Sequence, residues 1–317
     1  MRILKFGGKS LDTIQKTQKI CKYIKKIYKK EKEIIIVVSA IGKTTDNLIN
    51  KAKTYSSNNP TEREMAKLLS TGETESSCLF SLMLNSIKVP AMSFQASDIA
   101  LTTTMGYLDS QINSIDKTKI VSCLKEKTIA VVAGFQGMNS KNEITTLGRG
   151  GSDTTAIALG VAFNNNVEIY SDFDGVFCGD PRVLNYKKIK RINFKTMHIM
   201  SNAGAKVLTP RATLLALKNN IQIISKASRF PAQKGTIVSN IESNTISITS
   251  QNNLCLISII FDNDKQLKFI LKNVNNAINN YKIYNLNLKS NIIQILVNNE
   301  DSKQINYFLS KKLNLLK

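Results

Sequence analysis

Short apolar runs alternate with segments of helical length through the first 230 residues of the chain. These runs are rich in Ile, Val and Ala and lie at 34–38, 91–94, 129–133, 167–170 and 221–224. Successive strands that are separated by helices pair in parallel, with the helices covering both faces of the sheet. The alternation therefore predicts an α/β fold with a mainly parallel sheet, and ligands bind such sheets beyond the carboxyl ends of the strands.

A glycine-rich segment at 145–156, with the sequence TTLGRGGSDTTA, precedes a predicted helix. Gly150 and Gly151 let the backbone approach a ligand closely, and the amides at a helix N-terminus attract anions. Arg149 adds a planar cation that suits a carboxylate or a phosphate. The alternative is a tight turn in which Ser152 or Asp153 caps the helix.

Two further segments have the chemistry of anion binding or of turns. KFGGKS at 5–10 joins a predicted strand to a predicted helix, but its spacing matches neither the P-loop nor the dinucleotide fingerprint. Lys5 is placed there to neutralise phosphate oxygens, or else it is a surface lysine before a turn. In the acidic loop that follows 167–170, Asp172, Asp174 and Asp180 are metal ligands or turn formers.

Six segments taken in order resemble the aspartokinases, which are members of the amino-acid kinase superfamily. They are KFGG at 5–8, VVSAIGKTTDNL at 37–48, AGFQG at 133–137, GRGGSD at 148–153, DFDGVFCGDPR at 172–182 and GAKVLTPR at 204–211. The resemblance implies a three-layer sandwich with a mainly parallel central sheet as a catalytic domain at 1–245. It also implies a small α+β domain at 254–317, similar to a truncated ACT domain with a regulatory or dimerisation role.

The activity that the resemblance implies is transfer of the ATP γ-phosphoryl group to the β-carboxylate of L-aspartate. The product, 4-phospho-L-aspartate, begins the biosynthesis of lysine, threonine and methionine. A carboxylate nucleophile is already ionised at neutral pH, so that no general base is needed. This suits a chain with one histidine, His198, which we expect to be a packing or surface residue. Magnesium would be carried mainly by the ATP phosphates, with no metal site on the protein.

The resemblance also assigns site residues at matching positions. Lys5, Asp153 and Lys206 are the expected catalytic residues, with Asp153 organising the lysines. In the aspartate pocket, Glu73 would bind the α-ammonium group and Arg149 the α-carboxylate, and the pocket would be completed by Ser39, Thr45, Gly150, Gly151 and Ser152. The expected nucleotide-binding residues are Lys5, Phe6, Gly7, Gly8, Ser10, Ser171, Asp172, Phe177, Asp180, Arg182 and Lys206.

Some positions depart from the family pattern or have a simpler interpretation. Lys9 stands where threonine is usual, Ser97 replaces a glycine and Thr209 replaces a histidine. In the simpler interpretation Glu73 is an acid at a helix N-terminus, Thr45 is a helix cap and Asp180, before Pro181, forms a turn.

Composition limits the other function classes. The net charge of +21 suggests nucleic acid, but the lysines are dispersed, and in the predicted helix at 11–30 they alternate with an apolar stripe. We therefore expect no nucleic-acid partner. Five scattered cysteines predict reduced thiols in a cytoplasmic protein. No signal peptide and no apolar run of about 20 residues is evident, which predicts no membrane partner.

Two alternative functions and the organisation of the C-terminal region remain open. In the two alternatives, the chain is a kinase for another small carboxylate, or a non-catalytic amino-acid-binding regulatory protein on a kinase fold.

Residues 240–253 are predicted to be a domain boundary, followed by a strand at 254–261, a helix at 265–279, strands at 283–288 and 292–297, and a helix from Ser302. Because this pattern lacks a final ACT strand, we expect an open sheet edge, a homodimer through 254–317, and weak or no inhibition by lysine or threonine.

Overall fold

The computed structural model describes residues 1–242, 245–251, 255–278, 281, 283–289, 291–297 and 299–316. Some predicted boundaries lie outside these residues. They are Leu254, where a predicted strand and the second predicted domain begin, Asn279, where a predicted helix ends, and Lys317, where that domain ends. The described chain divides into two compact units, and each is described by itself. Unit 1 comprises Met1–Asp174 and Lys218–Lys234, and unit 2 comprises Gly175–Leu217 and Gly235–Lys317.

The elements alternate as predicted through most of the chain. The strands are β1 Arg2–Phe6, β2 Ile34–Val38, β3 Ala91–Phe94, β4 Thr102–Thr103, β5 Ile112–Ser114, β6 Ile129–Ala133, β7 Gln136–Met138, β8 Ile144–Thr146, β9 Val167–Ser171, β10 Val176–Phe177, β11 Lys188–Ile189, β12 Arg191–Asn193, β13 Ile223–Ala227, β14 Thr236–Ser239, β15 Ile246–Gln251, β16 Cys255–Phe261, β17 Ile283–Lys289 and β18 Ile292–Val297. The helices are α1 Ile14–Tyr28, α2 Thr44–Tyr55, α3 Glu62–Ser86, α4 Thr118–Lys125, α5 Gly151–Phe163, α6 Phe194–Asn202, α7 Pro210–Asn219, α8 Leu267–Ile278 and α9 Asn299–Lys312.

Unit 1 is built on a parallel sheet with the strand order β13-β9-β1-β2-β6-β3. Alternate side chains of its strands point to opposite faces. One face, which includes Leu4 and Phe6, packs with the apolar stripe of α1 and with Phe80 of α3. The other face carries Lys5 and meets the almost wholly buried helix α5. The predicted α/β fold with a central parallel sheet between helical layers is therefore confirmed.

A second, small sheet of unit 1 has the order β5-β4-β7-β8, and α3 contacts its β8 strand. The GFQG motif continues from β6 into β7. Gln136 in this motif is buried, and its Nε2 donates to Ser70 O at 2.9 Å and to Thr74 Oγ1 at 3.1 Å. These bonds hold the turn of α3 that carries Glu73.

Unit 2 contains the parallel pair β12-β14, the antiparallel pair β10-β11 and an antiparallel sheet with the order β15-β16-β18-β17. An apolar core joins this sheet to α8 and α9 through residues such as Ile259, Ile270, Ile295 and Leu309. Helix α6 contacts β16 as well. This small α+β arrangement agrees with the expectation of an ACT-like region.

Strand β15 corrects the prediction for the C-terminal sheet. Residues 240–253 are rich in Ser, Asn and Thr and were interpreted as a boundary, yet Ile246 and Ile248 alternate with polar residues and the segment pairs antiparallel with β16. It adds a strand beside β16 that the sequence did not predict, and among the described residues the edge strands of this sheet are β15 and β17. Alternation of period two outweighed a composition that is typical of linkers.

The fifth predicted strand is displaced along the chain. The apolar run at 221–224 predicted a strand that in the structure begins at Ile223 and continues through Ser225 and Lys226. Lys226 is tolerated in this position because its Nζ lies 2.7 Å from the carboxylate of Glu168 on the neighbouring strand β9.

Among the described residues, no helix is long and apolar enough to cross a lipid bilayer.

Candidate active site

A buried ion pair lies at the carboxyl end of β1. Lys5 is the fourth residue of this strand and points to the α5 face, where its Nζ lies 2.6 Å from Oδ1 of Asp153 in the first turn of α5. Both residues are less than 10% exposed. Burying two charges is costly unless they are paired, and the short distance provides this pairing. The structure thus brings together two of the three expected catalytic residues.

The glycine turn after β1 requires the absence of a side chain. A Cβ atom on Gly8 would lie 2.2 Å from the carbonyl oxygen of Ala40, which follows β2. Gly7 N donates to Tyr170 O at 3.2 Å, and Gly42 N donates to Gly8 O at 3.0 Å. The turn therefore joins the ends of three strands through main-chain contacts, and only glycine fits at residue 8.

Glu73 is a buried carboxylate in the middle of α3, and it is 3% exposed. Its Oε1 accepts a hydrogen bond from Ala40 N at 3.0 Å, and its Oε2 has no hydrogen-bond partner among the described residues. Burial raises the pKa of Glu73 to about 7, although the Ala40 amide and the charge of Lys5 act in the opposite direction. The interpretation of Glu73 as an acid at a helix N-terminus is wrong.

The N-terminus of α5 is formed by the glycine-rich segment. Gly150 is the N-cap residue, has a left-handed conformation with φ of 77° and makes no side-chain cap. The alternative in which Ser152 or Asp153 caps the helix is therefore wrong. A Cβ atom on Gly134 would lie 2.7 Å from Cβ of Ser152, so that Gly134 lets the end of β6 approach this first turn.

The remaining residues of the expected aspartate pocket lie around these elements. Arg149 is exposed next to the N-terminus of α5, and no acidic side chain of the described residues lies within ion-pair distance of it. Ser39 follows β2, where its N–H donates to Phe6 O at 3.2 Å. Thr45 is the second residue of α2, and the N-cap of that helix is Lys43, so the interpretation of Thr45 as a cap is wrong.

The expected nucleotide-binding residues belong to both units. In unit 1, Ser171 ends β9, and its Oγ accepts a hydrogen bond from Phe173 N at 3.2 Å. Asp172 lies 3.5 Å from Nζ of Lys9, which stands where the family has threonine, and both side chains are substantially exposed. In the described part of the chain, no three His, Cys, Asp or Glu side chains come together as metal ligands.

In unit 2, Asp180 and Arg182 form a local ion pair in a turn. Arg182 N donates to Asp180 Oδ1 at 3.0 Å and Arg182 Nε donates to the same oxygen at 2.9 Å. The hydrogen bonds from Arg182 lower the pKa of Asp180, and the positive charge of Lys206 contributes. The interpretation of Asp180 as a turn former is confirmed. Phe177 lies on β10 and packs, partly buried, against the apolar core of this unit.

Two residues to which the sequence analysis gave no role in the site have defined contacts. Gln136 supports the turn of α3 that bears Glu73, and the GFQG motif was the signal that could have indicated it. Thr209, where the family has histidine, caps α7, because its Oγ1 accepts from Ala212 N at 3.4 Å. Ser97, which replaces a glycine, lies in an exposed turn and is not among the residues with positive φ.

Comparison with known proteins identifies the family. The sequence profile of the amino acid kinase family matches residues 1–224. The chain belongs to the amino acid kinase family. It is 43% identical over 238 residues to an aspartokinase of Geobacillus stearothermophilus, a match that covers 74% of this chain and 58% of that protein. It is 37% identical over 266 residues to an aspartokinase of Rickettsia felis, covering 81% of this chain and 66% of that protein.

Solved structures of other kinases share the fold. Escherichia coli aspartokinase III in complex with aspartate and ADP superposes with a TM-score of 0.86 at 19% identity, covering 99% of this chain and all of that one. An isopentenyl phosphate kinase superposes with a TM-score of 0.58 over 75% of this chain. The chain spans about three fifths of the length of the aspartokinase relatives that it matches.

Proposed function

We propose that the chain is an aspartate kinase that transfers the γ-phosphoryl group of ATP to the β-carboxylate of L-aspartate. The observation that carries the proposal is the buried Glu73, which has one bonded and one unpartnered carboxylate oxygen and lies in the field of Lys5. A buried carboxylate oxygen without a partner is costly. The α-ammonium group of a free amino acid supplies the missing donors and the opposite charge.

The other residues of unit 1 take roles that fit this substrate. Arg149 binds the α-carboxylate, and Gly150, Gly151 and Ser152 present the first turn of α5, whose amides favour an anion. Ser39 and Thr45 complete the aspartate pocket. The β-carboxylate is then directed towards Lys5, whose position Asp153 holds through the 2.6 Å ion pair.

The reaction requires charge neutralisation and alignment. An oxygen of the β-carboxylate forms a bond to the γ-phosphorus while the bond from phosphorus to the bridging oxygen breaks, and ADP leaves. Lys5 neutralises charge on the transferring group, and the turn Phe6, Gly7, Gly8 and Ser10 shapes its surroundings. Magnesium bound to the ATP phosphates would supply further neutralisation, because the carboxylate of Asp153 is already paired with Lys5.

The remaining nucleotide assignments are proposals for each unit separately. In unit 1, Ser171 and Asp172 follow β9 directly. In unit 2, Lys206 provides an exposed cation, Asp180 and Arg182 form a rigid paired turn, and Phe177 provides an aromatic ring whose partial burial limits its contact with a ligand.

We also propose that the protein is a homodimer joined through the C-terminal sheet. Within the described residues β17 pairs with β18 alone, and Leu286 and Leu288 of this edge strand are 43% and 49% exposed. An unpaired strand edge with apolar side chains favours pairing with another chain. A cytoplasmic location stays a prediction.

A coupled ADP-release assay tests the function. L-aspartate, L-glutamate, N-acetylaspartate, N-acetylglutamate and UMP are offered as acceptors with MgATP. We expect turnover with aspartate and none with the acetylated compounds, because they have no ammonium group for Glu73. Comparable turnover of N-acetylaspartate would contradict the pocket assignment. MgATP and aspartate binding without turnover would favour the alternative of a non-catalytic amino-acid-binding protein.

A further inference from the structure

Lys206 lies on a short loop of unit 2 whose two ends are held by hydrogen bonds. The loop leaves α6 at Gly204, which has φ of 108°, and Ala205 N donates back to Met200 O at 2.9 Å. It enters α7 at Pro210, directly after the capping residue Thr209. Lys206 itself is exposed, so surrounding side chains do not enclose it. The path of the loop therefore determines where its ammonium group lies.

The imidazole of His198 joins these two ends. His198 is on α6, and its Nδ1 lies 3.1 Å from Pro210 O and 3.1 Å from Thr213 Oγ1, both on α7. Its Nε2 lies 3.0 Å from Nδ2 of Asn202 at the end of α6. One ring therefore contacts the last turn of α6 and the first turn of α7 and spans the loop.

The contacts assign the tautomer of the ring. The Nδ2 group of Asn202 only donates, so Nε2 of His198 is the acceptor and the proton is on Nδ1. Nδ1 then donates to Pro210 O. The hydroxyl of Thr213 donates to the same carbonyl, at a distance of 2.9 Å. Both ring nitrogens are thus used, and each end of the loop is attached to the same side chain.

We propose that His198 is a positioning residue for nucleotide binding, because it fixes the geometry of the loop that presents Lys206. The inference rests on the proposed nucleotide role of Lys206. His198 touches neither substrate and acts through the loop. Without the Nδ1 bond, a link between the two helix ends is lost, and the ammonium group of Lys206 samples more positions.

Equilibrium binding of MgADP to the full chain tests the proposal without depending on the acceptor. His198→Leu keeps an apolar side chain of similar size but removes the donor, and we expect its affinity for MgADP to fall about tenfold. In His198→Asn, Nδ2 takes the place of the imidazole Nδ1 and donates to Pro210 O. We expect this variant to remain within about threefold of the wild type. In the kinase assay the KM for ATP follows these values, while the KM for aspartate does not change.

A double-mutant cycle separates positioning from a general effect on the fold. If His198 acts through Lys206, His198→Leu changes the affinity little once Lys206→Met has removed the ammonium group. Additive losses, or equal losses in the Leu and Asn variants, would overturn the proposal, as would a wild-type chain that does not bind MgADP. Wild-type protein that binds MgADP but does not phosphorylate aspartate refutes the proposed function alone, and the cycle still decides the role of His198.

Discussion

Glu73 illustrates how burial changes the chemistry of a single side chain. Glu73 is 3% exposed, and burial raises its pKa from 4.5 to about 7. Between these two pH values the folded protein binds more protons than the unfolded chain, so this group lowers stability progressively as the pH rises through the window. Below pH 4.5 and above about pH 7 its contribution no longer changes with pH.

The first prediction follows from this titration. A protonated Glu73 cannot pair with an ammonium group, so the KM for aspartate should rise as the pH falls from 8 to 6. In Glu73→Gln we expect a KM raised on the order of 10²-fold that no longer follows this titration. The same variant should lose the fall in unfolding free energy between pH 4.5 and 7.

Glu75→Gln is the matched control, because Glu75 is exposed on the same helix. It should change neither profile. A wild-type aspartate KM that is constant between pH 6 and 8 would refute the assignment of the ammonium site.

The second prediction separates the proposed catalytic role of Lys5 from its structural role. Lys5→Met leaves the buried Asp153 without a partner, and we expect it to depress kcat strongly and to lower the free energy of unfolding by about 3 kcal/mol. Adding Asp153→Asn removes the unpaired charge and should restore most of the stability but none of the kcat. Chemical denaturation and the ADP-release assay measure the two effects, and a Lys5→Met variant with wild-type kcat would exclude the catalytic role.

Helix α5 and strand β6 are fitted together by a glycine. The first turn of α5 carries Gly151, Ser152 and Asp153, and its place depends on the close approach of Gly134 to Ser152. No motif based on residue type identifies this contact, because the two residues are 18 positions apart in the sequence and meet only when the helix packs on the sheet.

The third prediction concerns this contact. In Gly134→Ala the new Cβ would lie 2.7 Å from Cβ of Ser152, so the first turn of α5 must shift. We expect the KM for aspartate to rise, because Arg149 and Ser152 move with the turn, and the stability to fall by about 1–3 kcal/mol. Gly106→Ala is the control, because its nearest neighbour would be Ser110 Oγ at 3.7 Å. Equal kinetics in the two variants would contradict the proposed role of this turn.

For the protein as a whole, the positive charge is dispersed, whereas the C-terminal sheet has exposed apolar residues on one strand edge. The net charge of +21 is spread over helices such as α1, whose buried positions include Ile20, Ile24 and Ile27 and whose lysines are on the other positions. The exposed apolar residues of β17 are a more specific indication of where chains associate, because within the described residues this edge strand pairs with β18 alone.

The fourth prediction tests association through this edge. Leu286→Lys combined with Leu288→Lys should convert a dimer into a monomer in sedimentation velocity, because two added charges per edge oppose strand pairing and remove apolar contact. Leu79→Lys with Leu82→Lys, two exposed leucines of α3, should leave the dimer intact. A wild-type monomer, or a double β17 variant that still dimerises, would refute the interface.

Local patterns in the sequence sufficed for the α/β fold, most strand positions and the family, because period, apolar runs and glycine turns depend on residues that are neighbours in the chain. They failed at β15 and β13, where polar residues lie in strands, and at the caps of α2 and α5. The resemblance implied that Asp153 organises the lysines, but the 2.6 Å distance between Lys5 and Asp153, the unpartnered oxygen of Glu73 and the ring of His198 between α6 and α7 required the folded structure. Burial and charge pairing depend on side chains far apart in the sequence, and these contacts exist only when the elements are packed together.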